Sequence, residues 1–335
     1  MKEEKYTCDI CHEERNLSEL TYFDESYLCE DCLSCETFIC RDCGDRHWND
    51  DSADGDLCQT CYDEDYVRCE RCDAVIHYDD ACYHEDEEYH DHPYCRDCFD
   101  MDEIIHDYYY KPEPIFYGDG PRYLGVELEL DDGGENEFCA SKLLDIANAQ
   151  KEHMYIKHDG SLDDGFECVT HPMTLDYHIN QMPWRAILNK AVAKGYLSHQ
   201  AGTCGLHVHI SRNALGANYE EQEATIAKIL YFYEKFWNEI LTFSRRTESQ
   251  AEHWARRYGG GIINPKETLK HAKNSHMGRY AAVNLENDAT IEMRIFRGTL
   301  KYSTFIATLQ MVDEICKAAI SLSDEFMQSL TWLDF

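Results

Sequence analysis

Three short segments place acidic and basic side chains on common strand faces. In Leu124-Gly-Val-Glu-Leu-Glu-Leu130, alternation sets Val126, Leu128 and Leu130 on one face and Glu127 and Glu129 on the other. Cys204-Gly-Leu-His-Val-His-Ile-Ser211 pairs His207 with His209 opposite Leu206, Val208 and Ile210. In Thr290-Ile-Glu-Met-Arg-Ile-Phe-Arg297, Glu292 and Arg294 share a face. Arg297 has the other parity, so it lies beyond a bend or serves another purpose. A fourth segment, Lys157-His-Asp-Gly-Ser-Leu-Asp-Asp-Gly-Phe-Glu167, runs from strand to strand through a glycine-containing turn. Glu127, Glu129, Glu167 and Glu292, with one or two imidazoles, form an oxygen-rich donor set. Such a set suits Mg²⁺ or Mn²⁺ carrying nucleotide phosphates better than it suits zinc. Arg279, Arg294 and Arg297 add cations for phosphate oxygens or a transferring phosphoryl group. A solvated strand face would account for any one segment, but not for four together.

The second chemistry is thiolate chemistry. The CxxC pairs are Cys8/Cys11, Cys29/Cys32, Cys40/Cys43, Cys58/Cys61, Cys69/Cys72 and Cys95/Cys98. They group into three zinc-ribbon-like repeats, about 6–34, 38–64 and 67–100, with flanks that repeat as YTCDIC, FICRDC and VRCERC. Two thiolates three positions apart grip a tetrahedral Zn²⁺ from a tight turn, and a second knuckle closes the site without leaving room for water. About three structural Zn²⁺ are therefore expected, each supplying on the order of 10 kcal/mol of folding free energy to a region poor in aliphatics. Cys35, Cys82, His47, His84, His90 and His92 are left over. The histidines read as solvated loop residues; the alternative is entry of Cys35 or His47 into the second site.

Charge divides the chain at the same place as cysteine. Of 335 residues, 31 are Lys or Arg and 65 are Asp or Glu, a net charge of −34. Residues 1–110 carry −26 of it and 14 of the 18 cysteines. Such a surface repels a phosphate backbone, so direct nucleic-acid binding is not expected. A basic macromolecular partner or substrate, recruited through complementary fields, is the expectation; a scaffold that only braces its neighbour is the rival. Met1-Lys-Glu-Glu-Lys lacks an apolar leader pattern, and no run of about 18 apolar residues exists, so no membrane role is expected. A cytoplasmic, reducing location follows, where thiols favour metal over disulfides.

These groups need elements to hold them. A Pro-rich bridge, 111–121, separates residues 1–110 from a second domain over 122–335. There the pattern is α+β. Strands are predicted at 122–130, 154–158, 165–170, 204–211, 280–285 and 290–297, and helices at 138–151, 176–194, 219–244 and 303–321. The segment 245–279, with a local charge of +5 and the run Gly259-Gly-Gly-Ile, reads as a mobile substrate-side lid or as a merely soluble loop.

The ordered motifs GVELEL, KHDGSLDDGFECVTHP, CGLHVHIS and RYAAVNLENDATIEMRIFRG resemble those of the amidoligases, relatives of glutamine synthetase and glutamate–cysteine ligase in bacteria and phages. The resemblance covers roughly residues 122–335. It implies a glutamine synthetase-like antiparallel sheet around ATP and two divalent cations, Mg²⁺ or Mn²⁺. It places Glu127, Glu129, Glu167, His207 and Glu292 on the metals, His209 on the phosphate side, and Arg294 and Arg297 on the transferring group. Lys157, Asp159, Arg279 and Asn284 fall in the same motifs as candidate cofactor-binding residues, Asp159 equally as an Asx-turn. The implied activity is ATP-dependent ligation of a carboxylate to an amine through an acyl phosphate, in a host cytoplasm if phage-encoded. Two rivals stand: a phosphotransferase of the same fold, resembling guanidino or protein-arginine kinases, and a non-catalytic zinc-module interaction protein. No residue is assigned as the base that deprotonates the amine.

Overall fold

A computed structural model describes residues 5–83, 92–99, 104–259 and 264–335. The chain forms two units, Met1–Asp102 and Glu103–Phe335. Residues 103–110, grouped by charge with the first region, thus belong to the second unit.

The second unit is α+β, as expected, around one seven-stranded sheet. Its strands are β1 (Ile105–His106), β2 (Leu124–Leu130), β3 (Met154–Lys157), β4 (Phe166–Thr170), β5 (Leu206–Ser211), β6 (Val283–Asn284) and β7 (Thr290–Met293). The spatial order is β1-β3-β4-β2-β5-β7-β6, antiparallel throughout except for the parallel β1–β3 pair. Leu124, Val126, Leu128 and Leu130 of β2 join Leu206, Val208 and Ile210 of β5 and Ile291 and Met293 of β7 in a single apolar core. Helices α1 (Glu137–Ala147), α2 (Leu175–Asn180), α3 (Trp184–Ala193), α4 (Tyr219–Lys235) and α5 (Trp237–Ser244) contribute to it. The remaining helices are α6 (Glu248–Trp254), α7 (Pro265–Asn274), α8 (Tyr302–Ser321) and α9 (Asp324–Ser329). Along α8 the buried residues Phe305, Leu309, Val312, Cys316 and Ala319 recur at helical spacing.

Several expected elements take a different form. The helix read over 176–194 is two, α2 and α3, because Pro183 has no N–H to continue the ladder and itself caps α3. The helix read over 219–244 breaks at Phe236, where φ −107° and ψ 32° redirect the chain into α5. The strand read over 290–297 ends at Met293, and 280–285 shortens to β6. The segment 245–279, read as a lid or loop, contains α6 and α7, the latter started by Pro265 and capped by Asn264 on the Glu267 amide. Gly260, Gly261 and Ile262 of its glycine run lie outside the described residues. The bridge 111–121 packs on the unit: Tyr117 is buried and exchanges backbone hydrogen bonds with Pro172 and Thr174. No helix among the described residues is long and apolar enough to cross a membrane.

The first unit repeats one plan. Hairpins Lys5–Thr7/Glu14–Asn16, Thr37–Ile39/Arg46–Trp48 and Tyr66–Arg68/Val75–His77 carry the first knuckles. Short helices Glu30–Glu36, Gln59–Asp65 and Arg96–Phe99 carry Cys32, Cys61 and Cys98 of the second. Three sets of sulphurs converge, Cys8/Cys11/Cys29/Cys32, Cys40/Cys43/Cys58/Cys61 and Cys69/Cys72/Cys95/Cys98, each within 4.8 Å. A tetrahedron with Zn–S bonds of about 2.3 Å has edges of about 3.8 Å. The Cys11–Cys29 and Cys72–Cys95 sulphurs stand 3.8 Å apart. Although burial opposes it, amides of Cys29, Cys11 and Ile10 draw the Cys8 thiol down to about 6; Cys40 is drawn to about 6 in the same way by Cys58, Asp42 and Cys43. The apolar clusters here are built on the cysteines themselves, as with Cys8, Leu28 and Cys29.

Cys35 and His47 stay outside the second set, His47 Nε2 lying 3.6 Å from Cys43 Sγ as a neighbour of the ligand. Cys82 pairs by backbone with Tyr94, and His92 Nδ1 faces Glu70 at 3.9 Å. His84 and His90 lie outside the described residues.

Elemental analysis of the purified protein is expected to give close to three zinc per chain. A strong chelator should remove the signals of residues 5–99 from an amide-exchange protection map while leaving the β2–β5 core protected, because the buried clusters of the first unit are built on cysteines that could hold zinc and those of the second on apolar side chains. Coincident loss of both would contradict this.

Candidate active site

The face of the sheet opposite the apolar core carries a continuous row of charged residues. Register sets it: Lys157 pairs with Glu167, Glu167 with Glu129, Glu127 with His207, His209 with Glu292, and Glu292 with Asn284. Six strands thus bring together residues up to 165 positions apart in the chain, Glu127 and Glu292, with Lys157 and Asn284 at the ends of the row. The row follows from the period-2 alternation, since the same residues that put Val126, Leu128, Val208 and Ile210 into the core must project their neighbours to the other side. Gly205 matters here: a Cβ at this position would stand 2.4 Å from His207 Nε2, so the imidazole occupies the space that glycine leaves.

Glu129, Glu167, His207 and Glu292 are each at most 4% exposed. His207 is the centre. Its Nδ1 lies 3.4 Å from Glu127 Oε2 and 3.6 Å from Glu292 Oε1, and its Nε2 lies 3.6 Å from Glu129 Oε1. His209 Nε2 stands 3.2 Å from Glu127 Oε1. Two donor sets with ligand atoms mutually within 4.8 Å result, Glu127/His207/Glu292 and Glu129/Glu167/His207. A neutral imidazole has one lone-pair nitrogen, so His207 could ligate a cation in only one of the two sets at a time, its N–H then facing the carboxylates of the other.

Protonation reports the crowding. Burial, then the neighbouring Glu127 charge, pushes Glu167 well above the usual carboxylate range even with Lys157 Nζ at 3.0 Å. Burial raises Glu129 as well. Glu127 goes the other way: although burial opposes it, His209 and His207 hold it well below that range. Buried atoms without hydrogen-bond partners include Glu167 Oε2, His207 Nδ1, His209 Nε2 and Arg294 Nε. Carboxylates forced together beside unsatisfied imidazole nitrogens fit a divalent cation with oxygen and nitrogen ligands.

The row floors a cavity of about 1320 Å³, larger than the ~300–1,000 Å³ of ordinary small-ligand pockets. Glu127, Glu129, Glu167, His207, His209, Glu292, Arg294, Lys157, Asp159, Arg279 and Asn284 all line it. Their roles differ. Arg294 hydrogen-bonds Glu292 Oε1, and Asn284 Nδ2 donates to Glu292 Oε2 at 2.8 Å, which orients that carboxylate. Asp159 Oδ1 accepts from the Ser161 amide and hydroxyl, closing an Asx-turn at the cavity edge. Arg279 sits at the exposed rim, donating to the Tyr108 and Tyr280 hydroxyls. Arg297 is not among the lining residues, because the chain leaves the sheet after Met293 and alternation ceases to apply.

Sequence reading passed over the aromatic wall: Tyr108, Tyr109, Phe116, Tyr123, Tyr155 and Trp254 line the same cavity. Most come from 108–123, beside the bridge, where no periodic signal marked them. Asp131 was also missed. Buried at the end of β2, it accepts the amides of Asp163 and Asp164 and the Thr203 hydroxyl, anchoring the 159–164 turn.

The family described as "Putative amidoligase enzyme" matches residues 145–316, just over half of the chain. The match takes in Glu167, His207, His209, Glu292 and Arg294 and begins after Glu127 and Glu129. No curated protein matches the chain.

Titration with Mn²⁺, followed by the electron-spin signal of free metal, tests the two donor sets. His207→Ala, which touches both, should weaken the tightest Mn²⁺ binding by about tenfold or more. Glu167→Gln should spare the Glu127/Glu292 side. Because Glu129 and Glu167 hold protons to higher pH than ordinary carboxylates, cation binding should expel protons, and affinity should fall as pH is lowered. Unchanged Mn²⁺ binding in His207→Ala would remove the assignment.

Proposed function

Since the chain belongs to the amidoligase family, we propose that its second unit is an ATP-dependent carboxylate–amine ligase that works through an acyl phosphate. The observation that supports this best is the convergence of Glu127, Glu129, Glu167 and Glu292 around His207 on the cavity floor, with Arg294 beside them. A carboxylate does not react with an amine until one of its oxygens becomes a leaving group, and phosphorylation makes it one. Glu127, Glu129, Glu167 and Glu292, with His207, would hold divalent cations, which would supply Lewis-acid stabilisation of phosphate charge. Arg294, with a raised pKa because Glu292 lies beside it although burial opposes this, stays cationic and faces the transferring group. Lys157 offsets the Glu167 charge on the other side of the floor. Arg279 at the rim is placed for the nucleotide end. The cavity volume supports room for a nucleotide and a second substrate together.

The acidic first unit is read as a docking element for a basic partner or substrate, on the charge of −26 over residues 1–110. Metallation deepens that charge, since each Cys₄–Zn site nets about −2. A solvated brace for the second unit is the competing role.

Hydroxylamine traps an acyl phosphate as a hydroxamate. With ATP, Mg²⁺ and a panel of carboxylates, the enzyme should form hydroxamate, and Glu129→Gln, which keeps shape and removes one charge, should lower the rate by at least ~100-fold while the protein stays folded. ATP turnover without hydroxamate, but with a phosphorylated guanidinium, would replace the ligase by a phosphotransferase. Arg294→Lys should also fail, as an ammonium cannot make a bidentate contact to phosphate.

Docking by charge has its own test. Capture of a basic partner by the full chain should weaken steeply between low and moderate salt, as screening shortens the field to about 8 Å. Capture that is indifferent to salt, or absent at low salt, leaves the bracing role.

A further inference from the structure

The three Cys₄ sets repeat one another closely, yet the side chain beside the exposed thiol differs. In each set the second cysteine of the first knuckle is the exposed one: Cys11, Cys43 and Cys72. Each of these sulphurs accepts from the amide two residues on, that of Glu13, Asp45 or Ala74. The second set adds a side-chain contact. His47 Nε2 stands 3.6 Å from Cys43 Sγ, within hydrogen-bond reach of a sulphur acceptor.

Strand register explains why this contact belongs to the second set. In the hairpin Thr37–Ile39/Arg46–Trp48, His47 lies directly opposite Phe38, and the two rings are 5.7 Å apart at 32°. Phe38 packs in turn on the cluster of Cys40, Leu57, Cys58 and Cys61, so the imidazole is seated beside the sulphurs. The same register position holds Arg15, opposite Tyr6, in the first hairpin and Ile76, opposite Val67, in the third. All three residues follow their exposed cysteine by four positions. Arg15 pairs with Glu13, and the side chain of Ile76 has no N–H to give. The repeat thus folds without an imidazole at this place, and its second copy has one.

A zinc-bound thiolate has no proton to give, so with metal in place the contact is Nε2–H donating to sulphur. The four cysteines already complete a tetrahedron, which leaves His47 outside the ligands. A Cys₄–Zn²⁺ centre nets about −2, and an N–H aimed at one of its thiolates stabilises that charge only while the metal is held. We propose that His47 is an outer-shell donor to Cys43 that retains zinc in the second Cys₄ set and makes it the slowest of the three centres to give up its metal. His47 acts through Cys43, as a positioning residue. Partners of this kind are worth about 10–100-fold in metal affinity. The proposal rests on zinc filling the three sets.

Metal loss can be followed one centre at a time. The full-length, zinc-loaded protein is placed in excess EDTA and sampled with pulses of N-ethylmaleimide, and peptide mass spectrometry reads the alkylation of each cysteine. Cys40 and Cys43 should become labelled about tenfold or more slowly than Cys8, Cys11, Cys69 and Cys72. His47→Phe keeps a ring against Phe38 and removes the donor. It should speed labelling of Cys40 and Cys43 by about tenfold and leave the other two sets unchanged, whereas a residue that only packs the hairpin would be replaced without that loss. Ile76→His puts an imidazole at the matching position beside Cys72 and should slow the third set by about threefold or more. An unchanged rate at Cys43 in folded His47→Phe, or a second set that loses its metal first in the unmodified chain, overturns the proposal. If the phenylalanine variant does not fold, an Ile76→His chain whose third set is no slower overturns it. Failure of the zinc reading looks different: elemental analysis finds no metal, all three sets alkylate before any chelator is added, and the proposal falls with it.

Discussion

Repulsion between carboxylates on one face of a sheet is the constraint that the second unit is organised around. Two unit charges about 4 Å apart repel by roughly 4 kcal/mol at the effective dielectric of a protein surface. Glu127, Glu129, Glu167 and Glu292 all stand near His207, three of them buried. The other face of the same strands supplies the opposing term, because Val126, Leu128, Leu130, Val208 and Ile210 cannot reach the core without sending their neighbours into the row. Slipping one strand by one residue would relieve the repulsion and expose that whole apolar set. The fold therefore crowds carboxyl groups that would repel one another if all were charged, and burial together with the Glu127 charge pushes Glu167 well above the usual carboxylate range.

Legibility in the sequence follows from the same period. Glu127, Glu129, His207, His209 and Glu292 were readable because each alternates with a core residue along its own strand. What alternation does not encode is pairing. That Lys157 meets Glu167, or that Asn284 orients Glu292, depends on register between strands far apart in the chain. Arg297 shows the limit from the other side: its parity flagged a discrepancy, and the end of β7 at Met293 resolves it. Tyr108, Tyr109, Phe116 and Tyr123 reach the cavity from an irregular segment with no period to read. Helices α6 and α7 were hidden by the charge and glycine content of 245–279, although Asn264-Pro265 is a helix start in plain view.

The two units solve the problem of a stable core by different means. The second buries an apolar sheet face under helices and can afford a polar face. The first has clusters of only three or four buried residues, most of them cysteines, whose three Cys₄ sets could hold zinc in place of an aliphatic core. That choice frees its surface from any duty to the core. Acidic residues there cost little stability, since those that pair, as Glu13 does with Arg15 and Asp56 with Arg41, do so at the exposed surface.

The same logic of charge separates the cations of the second unit into two kinds. Lys157 and Arg294 face the carboxylate row and are answered by Glu167 and Glu292, so they balance the floor in the absence of anything bound. Others donate to main-chain carbonyls, Lys228 to Leu322 and Lys235 to Met327, Gln328 and Leu330, where they fasten the C-terminal segment to α4. With Lys157 at one end and Arg294 near the other, the floor offsets part of its own negative charge, and what remains is the charge that a divalent cation would neutralise.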